Sequence, residues 1–341
     1  MRLMKLSQQL GERKIIEIIQ KHLDLMPKMP IPFGDDISAY DLGKGNLAVL
    51  KTDMLVDKTD VPPKMSLWQA ARKTVVMNIS DFAAKGIKPL TILVSLGLPR
   101  KLNTKDNIEE IAKGLNAGAR EYNAYIIGGD TSESSDLVIS LSLFGIAKKG
   151  KVMLRSGAHH GDIVAVTSFF GKTSAGLKIL LNDLKASRKI RRVLTDSVLM
   201  PKARLKEGLA LSQTKAVTAA IDSSDGLAWS LHEIAKASKV GFLINRLPTA
   251  KEVERFAKDN KLSPLELTLY GGEEYELVLT VNPKLWNKAQ KAVEEVGGKL
   301  LNIGKVTAEK QVLLEINGEK HIIEARGWEH FKNEAKNRKV L

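Results

Sequence analysis

The chain has no cysteine among its 341 residues, which removes structural disulfides, thiolate zinc sites and cysteine nucleophiles together and fits a reducing cytoplasm. Its six histidines do not fill the gap. His159 and His160 are adjacent in a Gly-flanked turn, His22, His232, His321 and His330 are scattered, and no H-E-x-x-H spacing exists, so a zinc hydrolase is disfavoured. No run approaches the roughly 18 apolar residues of a membrane span. The N-terminal stretch MRLMKLSQQLGERKIIEIIQKHL alternates charge with Leu and Ile at helical spacing and lacks the apolar core of a signal peptide, so a cytoplasmic protein without a membrane partner is expected.

One glycine is also missing. The segment SFFGKTSAGL, residues 168–177, carries the G-K-[ST] end of a phosphate-cradling loop, but the first glycine of G-x-x-x-x-G-K-[ST] would fall at Val166. Val166 belongs to the apolar run DIVAVTSFF, which reads as a strand entering the turn. If phosphate is handled here, another device holds it.

What is present is an ordinary globular composition, 43% hydrophobic and 27% charged, in a chain long enough for two domains. The net charge of +14 raises the question of nucleic acid. The basic residues are dispersed, however, and the densest run, ASRKIRRVL, lacks aromatic interleaving and reads as a solvated helix face. A nucleic-acid partner is therefore not favoured, and a positive field equally suits phosphorylated metabolites. Apolar runs such as NLAVLKTD, LTILVSLGLP, NAYIIGG and DLVISLSLFGIA alternate with helix-period segments such as SLWQAARKTVVMNISDFAAKG and KDNIEEIAKGLNAGARE, an α/β pattern. Near KKGKVMLRSGAHHGDIV the chain passes through Lys and Gly, and a second series begins. Domains of 1–149 and 150–341 are expected.

Aspartates carry the chemical signal. PFGDDISAY supplies Asp35 and Asp36. AVLKTDMLVD is read as a strand ending on Thr52 and Asp53. IIGGDTSES is read as another, ending in Gly128 and Gly129, which permit positive φ or close approach, before Asp130. AAIDSSDGL supplies Asp222, Ser224 and Asp225 ahead of a helix. Each alone suits a cap or a turn. Asp81 is sharper: it lies within the apolar helix TVVMNISDFAAKG with Asn78 one turn earlier, and a buried carboxylate costs several kcal/mol unless it is paired or binds metal. Its partner is Lys85, Arg72 or a cation. Many oxygen donors without Cys or His point to a hard cation such as Mg2+ at a phosphate site.

Seven segments in order, GDD, KTDMLVD, NISDFAAKGIKP, IIGGDTSES, LRSGA, IDSSDGL and YGGEEYEL, closely resemble the thiamine-monophosphate kinase family, within the superfamily of aminoimidazole ribonucleotide synthetase. The resemblance spans about residues 30 to 331. It implies an α/β fold of two domains, a homodimer formed through the N-terminal sheet, an ATP site without a P-loop, and transfer of phosphate from ATP to thiamine monophosphate. It further implies Asp36, Thr52, Asp53, Asp81, Asp130 and Asp222 as Mg2+ ligands, with Asp225 on a further metal. Gly129, Asp130, Arg155 and Ser224 are implied as ATP contacts, Arg155 by gripping phosphate oxygens with parallel donors. Glu273 and Trp328, in RGWEHF, are implied as thiamine contacts. Three positions depart from the family pattern. Asp60 stands where the family has a substrate-contacting histidine, Lys51 where it often has a small hydroxyl residue, and Lys172 where it has an acidic one. An aminoimidazole ribonucleotide synthetase-like enzyme and a non-catalytic nucleotide-binding protein remain open alternatives.

Overall fold

A computed structural model describes residues 10–331, so the first nine residues of the N-terminal stretch and the end of the 150–341 segment lie outside the described residues. Helix α1 (Glu12–Gln20) opens it, with the expected helical spacing and none of its residues buried. A hairpin of β1 (Ser38–Gly43) and β2 (Asn46–Val56) leads through the single turn α2 (Asp57–Asp60) into α3 (Leu67–Ala84). Ser66 and Gln69 cap α3 reciprocally, each side chain accepting from the other's backbone N–H. Then come β3 (Pro89–Leu98), α4 (Lys105–Glu121), β4 (Tyr125–Glu133) and β5 (Val138–Lys148). They complete a five-stranded sheet of order β1-β2-β5-β3-β4.

After a stretch without helix or strand, residues 149–162, the second series runs β6 (Ile163–Val166), α5 (Lys172–Asn182), α6 (Arg188–Leu199), α7 (Leu205–Thr214), β7 (Val217–Asp222), α8 (Leu227–Ser238) and β8 (Gly241–Ile244). It continues with α9 (Lys251–Asn260), α10 (Pro264–Tyr270), β9 (Leu277–Val281), α11 (Trp286–Glu295), β10 (Leu301–Thr307), β11 (Val312–Ile316) and β12 (Glu319–Ile322). Its seven-stranded sheet has the order β12-β11-β8-β10-β6-β9-β7. The basic run lies on α6, where only Leu194 and Val198 are buried, as a solvated face requires. No helix among the described residues is long and apolar enough to cross a membrane.

The core explains where a site can form. Helix α3 buries fourteen of its eighteen residues. One continuous core joins the inner face of the first sheet, through α3, to Ala165, Ala220, Leu277 and Leu279 of the second. A helix surrounded in this way has no solvent face on which to put charge, so its polar side chains must find partners inside. The other side of the first sheet is bare: Tyr40, Leu50, Met54, Leu93, Tyr125 and Ile127 are exposed.

Two expectations about strand ends are corrected. Thr52 and Asp53 lie inside β2, and Gly128, Gly129 and Asp130 lie inside β4, because both strands continue in the ladder past their polar residues. Gly129 does not serve a positive φ; a Cβ there would stand 1.9 Å from the Val94 carbonyl oxygen, so glycine is required by strand packing.

Candidate functional site

Asp81 reaches neither of its expected partners. Arg72 turns to Glu121 at 2.6 Å and to the Pro201 carbonyl at 2.9 Å, while Lys85, fully buried, pairs with Asp35 at 2.7 Å and Asp36 at 2.8 Å and donates to the Ala220 carbonyl. Asp81 instead meets Lys51 Nζ at 2.9 Å, with Asp53 4.0 Å from the same ammonium. Among the described residues, Asp36, Asp81 and Asp222 form a buried group whose carboxylate oxygens all lie within 4.8 Å of one another. They come from the GDD loop, α3 and the end of β7, elements far apart in sequence that the shared core brings together.

Burial sets the electrostatics. Desolvation, with Asp222 and Asp36 nearby, pushes Asp81 well above the usual carboxylate range despite Lys51. The same cause raises Asp222 to about 6, against the 2.7 Å hydrogen bond that Ser80 donates to it. Burial acts on Asp36 in the same direction, yet Lys85 and Arg155 outweigh it and hold that carboxyl below its ordinary value. Burial opposes the charge on Lys51, but Asp81 and Asp53 outweigh it and hold the ammonium protonated.

Arg155 does not present its fork to solvent. Nε donates to Asp36 Oδ1 at 2.7 Å, Nη2 donates to the same oxygen, and Nη1 reaches the Gly34 carbonyl at 3.0 Å and Glu233 at 3.4 Å. Glu233 in turn pairs with Arg13 of α1, which lies 3.7 Å over the Trp229 ring and 3.8 Å from Asp225. Burial, then the neighbouring Glu12, raises Asp225 to about 7.

A second set of predicted residues meets at the SSD turn. Glu273 N donates to the Ser224 carbonyl at 2.6 Å, Tyr275 N to the Ser223 carbonyl at 3.0 Å and Trp328 N to the Asp225 carbonyl at 3.1 Å, so two chain segments bracket one turn. Gly272 fits because a Cβ would lie 2.6 Å from the Ser224 carbonyl. Glu273 sits at φ +62, a conformation uncommon outside glycine. Its carboxylate pairs at 2.5 Å with Lys73, a buried lysine that also donates to the Asp60 carbonyl at 2.7 Å. The Asp60 side chain folds back to accept from Val56 N at 2.7 Å. Burial raises its pKa, with Lys73 and His330 opposing. Trp328 is half-buried, edge-on to His330.

Register separates the remaining candidates. Asp53 pairs across β5 and β3 in the row Asp53, Leu141, Val94, Gly129, on the side facing α3. Thr52 and Asp130 belong to adjacent rows and therefore to the bare face. Strands β2 and β4 are also three spacings apart, about 14 Å. One cation cannot be shared by Asp53 and Asp130 within a single copy.

The P-loop look-alike is explained as well. Glu274 accepts from Gly171 N at 2.7 Å and Thr173 N at 3.2 Å, so an internal carboxylate already occupies the start of α5. Lys73, Arg13 and Glu233 have no part in the sequence reading, and Lys85 enters it only as a partner for Asp81, whereas it holds Asp35 and Asp36. The apolar helix α3 carrying Lys73 was the available signal for one of them.

Residues 34–147 match the family described as AIR synthase related protein, N-terminal domain, and residues 160–317 match its C-terminal domain. Fold and site thus define a two-domain α/β protein of the AIR synthase related class. Thiamine-monophosphate kinase of Nitrosopumilus maritimus is 38% identical over 323 residues, covering 95% of this chain and 99% of that one, and the Pyrococcus abyssi enzyme of the same name is 36% identical over 94% and 96%. The solved structure of AaThiL complexed with AMPPCP and TMP superimposes with a TM-score of 0.83 at 28% identity, covering 96% of this chain and all of that one. The chain belongs to the thiamine-monophosphate kinase family.

Proposed function

We propose that this chain transfers the terminal phosphoryl group of ATP to thiamine monophosphate, giving thiamine diphosphate and ADP. The observation that carries the reading is the buried Asp36, Asp81 and Asp222 group at the junction of the two sheets, in a chain whose relatives bear that enzyme's name. A phosphate monoester acceptor has its second pKa near 6 and is largely deprotonated at pH 7, so the chemistry needs positioning more than a general base.

The donor set fits Mg2+: hard oxygens only, buried, and mutually repelling without a cation. Asp36, Asp81 and Asp222 would hold it with Asp53 beside them, and Asp225 would serve a further position. When bound, it neutralises charge spread over the phosphoryl oxygens. The chain's own work is orientation. Lys85 and Arg155 fix Asp36, and Ser80 fixes Asp222. Gly129, Asp130, Arg155 and Ser224 contact ATP; Asp60, Glu273 and Trp328 contact the thiamine moiety, the indole suiting its cationic ring.

The molecule works as a homodimer packed through the bare face of the first sheet, where β4 is an edge strand with every residue exposed. Thr52 and Asp130, on that face, then serve the site of a second copy. Domains divide at residue 150, within the stretch lacking helix and strand.

Purified protein with ATP, Mg2+ and thiamine monophosphate should yield thiamine diphosphate and ADP in equal amounts, and EDTA should abolish both. ADP formed only with an aminoimidazole-pathway acceptor would overturn the substrate and retain the fold.

A further inference from the structure

We propose that the Lys51 ammonium is a built-in counter-ion of the carboxylate cluster, filling a position that a divalent cation would otherwise take, so that the cluster itself binds one divalent ion. The inference rests on the metal reading above.

Lys51 lies on the side of β2 that faces α3, in the row of Leu143, with Asp53 two residues on along the same face. Its ammonium stands 2.9 Å from Asp81 and 4.0 Å from Asp53, between a member of the buried group and the carboxylate beside it. The side chain is 19% exposed, so solvent does not offer it an equivalent resting place. Charge counting agrees. With all of them ionised, as a bound cation requires, Asp35, Asp36, Asp53, Asp81 and Asp222 face Lys51, Lys85 and Arg155, while Glu233 on Arg155 is matched by Arg13, so six carboxylates against four cations leave two negative charges. One Mg2+ balances that remainder. Without Lys51 three charges would remain, more than one divalent ion offsets.

Lys85 cannot play this part, because it is spent on Asp35, Asp36 and the Ala220 carbonyl. Nor is Lys51 equivalent to the ion it replaces. An ammonium is a single, strongly hydrated charge on a tethered stem, always at hand and independent of Mg2+ concentration. Mg2+ dependence should therefore be less steep than in a variant that lacks it.

The test counts bound Mn2+ by electron paramagnetic resonance on the full chain with a non-hydrolysable ATP analogue, for wild type, Lys51→Thr and Lys51→Gln. Thr offers a hydroxyl and keeps strand propensity; Gln keeps the stem without charge. The expected result is one additional Mn2+ per subunit in Lys51→Thr, or at least a tenfold tighter class of sites in either variant. Unchanged stoichiometry and affinity in both folded variants would overturn the proposal. Nucleotide binding without Mn2+ in wild type and variants alike would overturn the metal reading and this inference with it.

Discussion

At the scale of single residues, the site is organised by burial that individual side chains must offset. Asp81 keeps a carboxyl group inside a helix enclosed by core with Lys51 facing it, and in the proposed reading it shares a cation with Asp36 and Asp222. Asp53 is less buried and lies at the edge of this group. Asp53→Asn is expected to lower turnover about 100-fold while leaving the circular dichroism spectrum unchanged, since it removes charge at the reacting phosphates and little packing. Near-wild-type kcat would remove Asp53 from the site. Asp60 illustrates a different balance. Its side chain completes the first turn of α2 by accepting from Val56 N. Asp60→Ala should cost about 1 kcal/mol of stability and Asp60→Asn much less, because the amide oxygen can still accept. Equal losses in urea denaturation would show that the bond does not matter.

At the scale of elements, α5 shows why a short motif is a poor guide to chemistry. Its first turn has the donors that bind phosphate elsewhere, and Glu274 has taken them. Burial raises this carboxyl from its ordinary 4.5 to about 7, outweighing the Thr173 bond and the charge of Lys172. A group that holds its proton more tightly when folded contributes its full stability below pH 4.5 and loses it as pH rises through 7. The stability of Glu274→Gln should therefore gain on wild type by on the order of 3 kcal/mol between pH 4.5 and 8. A pH-independent difference in denaturation midpoints would contradict this. Lys172→Ala should leave ATP affinity unchanged, because Glu274 and not a phosphate meets that turn.

At the scale of the whole molecule, one sheet has a face packed on α3 and a face with apolar side chains open to solvent. If the proposed homodimer forms through this face, Ile127→Glu should halve the mass measured by light scattering, since it buries a charge between the copies. If Asp130 serves the neighbouring copy, Asp53→Asn and Asp130→Asn chains are each inactive alone, and mixing them restores roughly a quarter of wild-type activity through dimers with one intact site. No recovery on mixing would place both residues in one subunit's site.

Composition and pattern determined a great deal alone. The alternation of periods marked the helices and strands, and the ordered aspartate segments contained Asp36, Asp81 and Asp222, which the fold brings together. Strand parity even contained the separation of Thr52 from Asp53, since neighbours in a strand face opposite ways. What the tertiary structure decided was pairing. Lys51 with Asp81, Lys85 with Asp36, Arg155 with Asp36 and Lys73 with Glu273 join residues from 30 to 200 positions apart. A local pattern carries no information about which charge will be its neighbour once both are buried. That choice is made when α3 is enclosed between two sheets, and desolvation then leaves each buried charge to be met by whichever opposite charge the fold has brought within reach.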